Sequence, residues 1–442
     1  MKQGMFFLDL DRCTGCAACV VACNNENEVA VEIPWRRVHS FNSPRYPSAP
    51  VFHYSLACSH CVEPSCLHNC PANAYTKDAA TGAVLLDGTR CIGCRYCAWV
   101  CPYDAPQYNN QAGIMEKCTF CDHRLADGLE PACVGACPVT ALNFEAEGNP
   151  SDVVRPGFPD TGLRPSIRVV GERRRAAPQM TAAHVEPGTV RSREPLGWRG
   201  LRAEWSLWLF TSIAIMLVAW FTASTAGAAG FNLSLFAGAG FGAMAISAIH
   251  LGKISRVWRG ALNFRRSWIS REVVFYSAFL VGACVIGLRP MLPEYSGWVI
   301  SALGIAALFA MDMVYRVPGQ PVMTVPHSAM ATLTAAFYIG IFAANTSLLL
   351  PVTVVKLVLY LARRERPSPG GRLFAPIRIG VGLFPALVFA ISSDFPIAWT
   401  IFGAVIGELI DRAEFYAALR FLTPKVRIDR DLEASRLEAG GC

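Results

Sequence analysis

Hydrophobic residues are distributed unevenly along this chain. From Glu204 onward, apolar stretches alternate with short polar segments, and each stretch is near the length of about 20 residues that a helix needs to cross a bilayer. We count eight such stretches, although a count of seven stays open because only Asn345 and Thr346 separate the fifth from the sixth. The predicted spans cover residues 205–224, 231–251, 272–289, 297–316, 327–344, 346–362, 375–393 and 396–412.

Basic residues lie mainly on one side of these predicted spans. They cluster before the first span and after the even-numbered ones, as with Arg378 between spans six and seven, whereas the alternate loops carry only Arg289. An even number of spans puts every basic loop on one side, which the positive-inside rule identifies as the cytoplasm. The pattern predicts a multi-pass protein of the inner (cytoplasmic) membrane, and by this rule alone we expect the amino-terminal region to face the cytoplasm.

The amino-terminal region has a different pattern, which cysteine dominates. Residues Met1–Arg12 contain GMFFLDLDR, which predicts a short strand rather than a signal peptide. Sixteen of the 18 cysteines follow in four groups, each beginning C-x-x-C and ending C-x-x-x-C. The groups are Cys13, Cys16, Cys19 and Cys23; Cys58, Cys61, Cys66 and Cys70; Cys91, Cys94, Cys97 and Cys101; Cys118, Cys121, Cys133 and Cys137.

The third group, followed by Pro102, has the spacing C-x2-C-x2-C-x3-C-P of bacterial ferredoxins. In that motif three thiolates hold one iron–sulfur cluster and the fourth reaches a neighbouring cluster. The first group has the same internal spacing about 78 residues earlier, which predicts two ferredoxin-like halves. Sixteen thiolates are the complement for four [4Fe-4S] clusters.

Two other uses of cysteine are disfavoured. A disulfide framework is typical of small secreted domains, whereas this chain has 442 residues. Structural zinc sites use paired C-x-x-C knuckles rather than compact runs ending in Cys-Pro. Because thiolate clusters are assembled under reducing conditions, we expect the cysteine-rich region to be built in the cytoplasm.

The amino-acid composition argues against an ordinary soluble protein. Hydrophobic residues make up 53% of the chain and charged residues 17%, which is too apolar for an ordinary soluble protein. The net charge of +7 by itself favours a nucleic-acid partner. The basic residues flank the apolar stretches, however, so we expect a lipid bilayer and no nucleic acid.

Three cysteine segments resemble the electron-transfer subunit of dimethyl-sulfoxide-reductase-type molybdoenzymes. They read CSHCVEPSCLHNCP (Cys58–Pro71), CIGCRYCAWVCPYDAPQYN (Cys91–Asn109) and CTFCDHRLADGLEPACVGACP (Cys118–Pro138), and the resemblance covers residues 4–142. It implies that the first group of cysteines pairs with the fourth, and the second with the third.

The pairing implies four ligand sets, one for each cluster. Some nitrate-reductase relatives have Trp at the position of Cys94 and hold a three-iron cluster there, so Cys94 implies a four-iron cluster. In the family this cluster, bound by set 4, lies nearest the membrane. Set 1 is Cys13, Cys16, Cys19 and Cys137; set 2 is Cys23, Cys118, Cys121 and Cys133; set 3 is Cys58, Cys61, Cys66 and Cys101; set 4 is Cys70, Cys91, Cys94 and Cys97.

The hydrophobic region resembles the anchor subunit of the same reductases, in segments that include IHLGKISRVWRGALNFRRSWISRE (Ile249–Glu272) and MDMVYR (Met311–Arg316). In that family the histidine matching His250 is tied to menaquinol binding and oxidation, and histidine has a suitable pKa for accepting the proton. A lone histidine at a membrane end is equally often a packing or headgroup residue. His327 is the only other histidine after His250, and we expect no haem.

Ionisable residues inside predicted spans are candidates for function. Lys356 lies deep in VTVVKLVLY and is expected to pair with an acid, or with a lipid or quinone oxygen. The acids lie near span ends, where pairing with Arg316 or Arg412 or snorkelling is expected. They are Asp312, Glu408 and Asp411.

These observations predict an α+β ferredoxin-like four-cluster domain at 1–170, a linker at 171–203, an all-α polytopic membrane bundle of about eight helices at 204–420 and a cytoplasmic tail at 421–442. The resemblance implies a non-catalytic electron-transfer and anchor subunit that oxidises menaquinol from the quinone pool. Its electrons would reach a separate molybdopterin-type catalytic subunit in anaerobic respiration. Two alternatives stay open: electron flow from such a partner to quinone, and a ferredoxin-regulated membrane transporter.

Overall fold

A computed structural model describes most of the chain. The described residues are 3–43, 46–47, 49–150, 157–171, 204–289, 293–318, 326–364, 371–392, 395–418 and 423–439. They fall into two units, Met1–Ser192 with Phe421–Cys442, and Arg193–Arg420. Apart from Gly171, the predicted linker lies outside the described residues.

Short strands and helices make up the first unit, as expected for a ferredoxin-type domain. Its strands are β1 (Met5–Asp9), β2 (Arg37–Phe41), β3 (Phe52–Leu56), β4 (Tyr75–Lys77), β5 (Val84–Leu86), β6 (Gln107–Asn109), β7 (Ile114–Glu116), β8 (Leu142–Glu145) and β9 (Ile167–Val170). Its first five helices are α1 (Ala18–Glu26), α2 (Ser65–Asn69), α3 (Tyr96–Trp99), α4 (Asp122–Ala126) and α5 (Ala132–Gly135).

The strand predicted ahead of the first cysteine group is the centre of a three-stranded sheet. β1 pairs antiparallel with β8 and parallel with β9, while β2–β3, β4–β5 and β6–β7 each form an antiparallel pair. Alternation along β1 buries Phe6 and Leu8. The Phe6 ring meets Phe120 edge-on, with 5.1 Å between centroids. This contact ties the sheet to the fourth cysteine loop.

Matching turns mark the internal repeat. Gly15 (φ 73°) and Gly93 (φ 70°) occupy equivalent positions in the first and third cysteine groups, and both adopt the left-handed conformation that glycine tolerates best. Ala17 and Arg95, two residues further on, are also left-handed, and a short helix starts directly after each. Equal spacing of cysteines therefore corresponds to equal backbone geometry.

Helices make up the second unit. They are α6 (Trp205–Thr225), α7 (Leu233–Ala248), α8 (Trp268–Leu288), α9 (Tyr295–Val314), α10 (Ala331–Phe342), α11 (Thr346–Arg364), α12 (Gly371–Ile377), α13 (Phe384–Ile391) and α14 (Ile397–Ala418). A 3-10 segment, Ile254–Ala261, follows α7, and a π-helical turn, Arg378–Leu383, joins α12 to α13.

Among the described residues, four helical segments are long and apolar enough to cross a membrane: Trp205–Thr225, Trp268–Leu288, Tyr295–Val314 and Phe374–Ile391. Shorter apolar helices occupy Leu233–Ala248, Ala331–Phe342 and Thr346–Ala362. The fifth and sixth predicted spans are separate helices, since the backbone turns at Ala344 (φ 46°) between α10 and α11. The prediction of an apolar, helical carboxy-terminal region is therefore confirmed.

Close helix packing in the second unit depends on small residues. A methyl group added at Gly304 of α9 would lie 2.9 Å from the Phe279 ring of α8. Phe279 also meets Phe221 of α6 edge-on, with 5.6 Å between ring centroids. Large apolar side chains such as Leu288 and Phe309 remain exposed on the outer faces. Exposed apolar faces are expected where lipid is the solvent.

The end of the chain returns to the first unit. Helix α15 (Pro424–Ala439) carries Ile428, which is fully buried in the same apolar cluster as Phe158. Leu432, one turn later, packs against this cluster. The described part of the predicted tail is therefore a docked helix of the first unit.

Candidate iron–sulfur centres

Set 1 surrounds a cavity ahead of α1. The cavity is also lined by Gly15 and Ser55, and the Ser55 hydroxyl lies 3.3 Å from the Cys19 sulfur. Burial raises the pKa of Cys13, and neighbouring thiols of its own set act in the same direction. The four cysteines that line this cavity are Cys13, Cys16, Cys19 and Cys137.

Set 2 joins the end of the first cysteine group to the fourth. Burial raises the pKa of Cys23 to about 12, and the thiols of Cys133 and Cys121 contribute to the rise. Burial also raises the pKa of Cys118, Arg36 opposes the rise, and the thiols of Cys23, Cys58 and Cys133 add to it. The Asn27 side-chain amide donates to the Cys121 sulfur at 3.7 Å.

Set 3 lines a second cavity, built from the second cysteine group and the last cysteine of the third. The backbone N–H of His60 donates to the Cys58 sulfur at 3.5 Å. Lys117, which is almost fully buried, also lines this cavity, and its ammonium group donates to the carbonyl of Cys118 at 2.9 Å. The cysteines here are Cys58, Cys61, Cys66 and Cys101.

Set 4 lines a third cavity together with Tyr75 and Ile92. Backbone N–H groups donate to two of its sulfurs, from Ala74 to Cys70 and from Gly93 to Cys91, each at 3.4 Å. Burial raises the pKa of Cys94 to about 12. The set consists of Cys70, Cys91, Cys94 and Cys97.

The cysteines of sets 1, 3 and 4 each line one cavity. Among the described residues, no three His, Cys, Asp or Glu side chains converge closely enough to hold a single metal ion. Three sets instead line the walls of cavities, and backbone N–H groups point at sulfurs of sets 2, 3 and 4. Four thiols around a cavity, with N–H donors aimed at sulfur, suit a polynuclear iron–sulfur cluster.

The raised thiol pKa values have a chemical consequence. Free thiols with a pKa of about 12, as at Cys94 and Cys101, are protonated at neutral pH. Iron is held by thiolates, so cluster binding at these positions must release protons. A cluster bound by these cysteines would compensate the negative charge of the buried thiolates through its iron ions.

Sequence reasoning missed several residues around the sulfurs. Ser55 and Asn27 are ordinary polar residues in the sequence, and only the fold brings them to cysteines far away in the chain. Arg36 and Lys117 are buried cations, and neither spacing nor hydropathy distinguishes them from surface residues. The position of Lys117 directly before Cys118 is the one local signal.

In the second unit, His250 is half-buried just after the end of α7. It lies ahead of the 3-10 segment that carries Arg256 and Arg259. His327 stacks on Phe415 of α14, with 4.4 Å between ring centroids. His250 thus lies at the end of a helix, whereas His327 packs against an aromatic ring of α14.

A buried ionic network lies among the helices of the second unit. Lys356 of α11 is fully buried, and its ammonium group lies 2.9 Å from a Glu408 oxygen. The other Glu408 oxygen accepts from Arg378 at 2.7 Å, and Arg378 also lies 3.3 Å from Asp411. The predicted pairing of Lys356 with an acid is confirmed. The assignment of Arg378 to a loop is wrong, since it lies buried in the π-helical turn.

Asp312 has a different role from the one expected. Its carboxylate accepts from the backbone N–H groups of Ala331 and Thr332 at 2.6 and 3.0 Å. It also accepts from the Thr332 hydroxyl at 2.7 Å. These contacts satisfy the free N–H groups at the start of α10, so Asp312 caps that helix from a neighbouring one.

Comparisons with known proteins agree with this geometry. A sequence profile described as a 4Fe-4S dicluster domain matches residues 50–147. One component of the anaerobic dimethyl sulfoxide reductase from Haemophilus influenzae is 39% identical over 153 residues, which cover 33% of this chain and 74% of the relative.

Relatives with other named activities match as well. A component of the sulfite dehydrogenase from Allochromatium vinosum is 32% identical over 217 residues, covering 42% of this chain and 88% of the relative. The thiosulfate reductase electron transfer subunit PhsB of Salmonella typhi is 41% identical over 147 residues, which cover 32% of this chain and 76% of the relative. The matched part is the amino-terminal third, where the cysteine sets lie.

Proposed function

Because the chain belongs to the family of iron–sulfur electron-transfer subunits found in the anaerobic dimethyl sulfoxide reductases, we propose that it carries electrons between membrane quinol and a catalytic partner. In this proposal the chain oxidises menaquinol and passes the electrons through four [4Fe-4S] clusters to a separate molybdopterin-type subunit. The observation that supports it is the presence in one chain of three cavities, each lined by four cysteines, and of several apolar helices.

Each cysteine set is assigned one cluster. A bound [4Fe-4S] cluster supplies reversible one-electron transfer, and its potential depends on hydrogen bonds to sulfur and on nearby charge. The chain's own contribution is to bury the thiolates and to aim N–H groups at them, as His60 does at Cys58. Asn27 and Ser55 supply polar contacts to Cys121 and Cys19.

We assign quinol oxidation to the neighbourhood of His250. Oxidation of a quinol to a quinone releases two protons and two electrons, so the site needs a proton acceptor and an electron acceptor. A half-buried histidine beside the end of α7 supplies the first, because its unperturbed pKa lies near neutrality. By resemblance to the family, the electron acceptor is the cluster of set 4.

The names of the relatives support a separate catalytic partner. They are called chains or subunits of reductases and of a sulfite dehydrogenase. The sulfite dehydrogenase name favours a second candidate function for this chain, in which electrons run from the partner to quinone. Both directions use the same clusters and the same quinone site.

We further propose a multi-pass position in the inner membrane with the clusters on the cytoplasmic side. Residues before and after the helical unit belong to the same first unit, which supports an even number of crossings between them. The eight predicted spans meet this condition, and basic residues favour the cytoplasm for both ends.

The experiment is quinol-driven cluster reduction in purified protein, followed by electron paramagnetic resonance (EPR). Menaquinol should reduce the clusters of the unmodified chain, and His250→Ala should lower the reduction rate at least tenfold, because the proton acceptor is removed. Iron content and reduction by dithionite should stay unchanged. His327→Ala is the matched control and should keep the normal rate. An unchanged rate in His250→Ala would reject this histidine as the quinol-site residue.

A further inference from the structure

Arg36 is the most deeply buried arginine of the first unit's described residues, with 1% of its surface exposed. It directly precedes β2, and its guanidinium carbon lies 4.6 Å from the centroid of the Phe6 ring. The side chain therefore points inward, into the core that also holds Cys19, Cys118 and Cys133.

The hydrogen bonds of Arg36 leave its charge uncompensated. One nitrogen, Nη1, donates to the Ser55 carbonyl at 3.3 Å and to the Ser55 hydroxyl at 3.0 Å. The Nε and Nη2 groups are buried without an oxygen or nitrogen acceptor, and among the described residues no carboxylate pairs with Arg36. The guanidinium instead contacts the Cys133 thiol, and this contact and its charge oppose the rise in pKa that burial imposes on Cys133. A buried charge without an opposite charge is strongly destabilising, so the anion must come from elsewhere.

The groups near Arg36 that can supply the anion are cysteines, which are thiolates when they hold iron. The Phe6 ring under the guanidinium meets Phe120 with 5.1 Å between centroids, and the backbone N–H of Phe120 donates to the Cys118 sulfur at 3.4 Å. Burial alone would lower the pKa of Arg36, and nearby cysteines act in the opposite direction. In order of effect these are Cys133, Cys118, Cys19 and Cys23. Three of the four belong to set 2 and one to set 1.

We propose that Arg36 is the buried counter-cation of the set 2 cluster and raises its reduction potential. Reduction adds negative charge to a cluster, and a fixed cation nearby in a low-dielectric interior stabilises that charge. Removing the cation makes the added electron less favourable, so the potential falls. The inference rests on the proposed assignment of a cluster to set 2.

Arg37 provides a matched control. It is the next residue, it carries the same charge, and it lies half-exposed in an ion pair with Asp104 at 2.8 Å. Its charge is therefore already compensated and partly screened by solvent. Loss of charge at this position should leave the potential of the set 2 cluster near its normal value.

The test is a redox titration of purified full-length protein with chemical mediators and no quinol, monitored by EPR. Arg36→Met should lower the reduction equilibrium constant of the set 2 cluster at least tenfold, which is about 59 mV for a one-electron step. The set 1 cluster should shift less, and sets 3 and 4 should not shift. Arg36→Lys should recover most of the loss, and Arg37→Met should match the unmodified chain at set 2.

A separate variant, Cys133→Ser, identifies the set 2 signal, because it alters a ligand of that cluster alone. If Arg36→Met does not incorporate iron, Arg36→Gln takes its place, since it removes the charge and keeps a polar side chain that can donate to Ser55. A lower set 2 potential in Arg36→Gln supports the proposal, and an unchanged one overturns it.

Four unchanged potentials in an iron-replete Arg36→Met protein would also overturn the proposal. Failure of the proposed function has a different signature. It would be seen in the unmodified chain, as missing clusters or as clusters that menaquinol does not reduce.

Discussion

At the scale of single residues, the second unit pairs its buried cations with buried anions. Lys356, Arg378, Glu408 and Asp411 lie among apolar helices, where an isolated charge is very unfavourable. Two cations and two anions balance in this group, and hydroxyl groups donate to both anions. Thr334 donates to Glu408 at 3.0 Å and Ser328 to Asp411 at 2.8 Å. The network therefore holds the helical elements that carry these residues in a defined arrangement.

Glu408 is the residue on which this balance depends most, because it contacts both cations. Glu408→Gln should destabilise the protein by about 3–5 kcal/mol, since it leaves an excess of buried positive charge. The measurement is thermal unfolding in detergent. The double variant Lys356→Met/Glu408→Gln removes one charge of each sign and should be more stable than Glu408→Gln alone. Equal stability of the two variants would rule out charge balance as the reason.

The network was only partly predictable from sequence. Lys356 in an apolar stretch indicated a buried partner, because a charge in lipid is rarely tolerated alone. The choice of partner depends on how α11, the π-helical turn and α14 pack, which no local pattern encodes. Arg378 looked like a loop residue because basic residues surround it in sequence. In the structure it is fully buried.

At the scale of elements, α15 is the least expected feature. Its sequence is rich in charged residues and predicts a tail, yet Ile428 is fully buried in the first unit. The backbone of Gly157 approaches this side chain closely. A methyl group added at Gly157 would lie 2.4 Å from Ile428, and Gly157 is left-handed with φ 81°. Only a residue without a side chain fits at this contact.

Gly157→Ala should therefore loosen the docking of α15. The left-handed backbone alone costs about 1 kcal/mol with alanine, and the clash with Ile428 adds to this. The measurement is limited trypsin digestion, with faster cleavage expected at Lys425 and Arg427. Gly162→Ala is the matched control, because Gly162 has φ 69° and nothing within 4 Å of the added methyl group. If both variants are digested equally, the contact with Ile428 does not hold the helix.

The elements around the cysteines were more predictable than α15. Equal spacing in the first and third groups predicted a repeat, and the left-handed turns at Gly15 and Gly93 are its structural counterpart. Each Cys-Pro pair also leads into the same turn, with a left-handed residue three positions after the cysteine. These residues are Asn73, Asp104 and Thr140. Local spacing predicts local turns well, because both depend on neighbouring residues.

At the scale of the whole chain, cysteine spacing alone does not determine the sets. The sequence places Cys23 in the first group and Cys133 in the fourth, and only packing brings them together. Resemblance to a family supplied that pairing, and the structure has the same neighbours. The compensating cation, Arg36, was not predictable in either way, because its function depends on burial between loops distant in sequence.

We propose that this chain carries four [4Fe-4S] clusters, and the most direct measurement is the iron and acid-labile sulfide content of protein purified without oxygen. We expect about sixteen iron atoms and about sixteen sulfides per chain, four of each for every set. About eight of each would mean only two clusters, as a dicluster domain alone would hold, and would contradict the presence of four clusters.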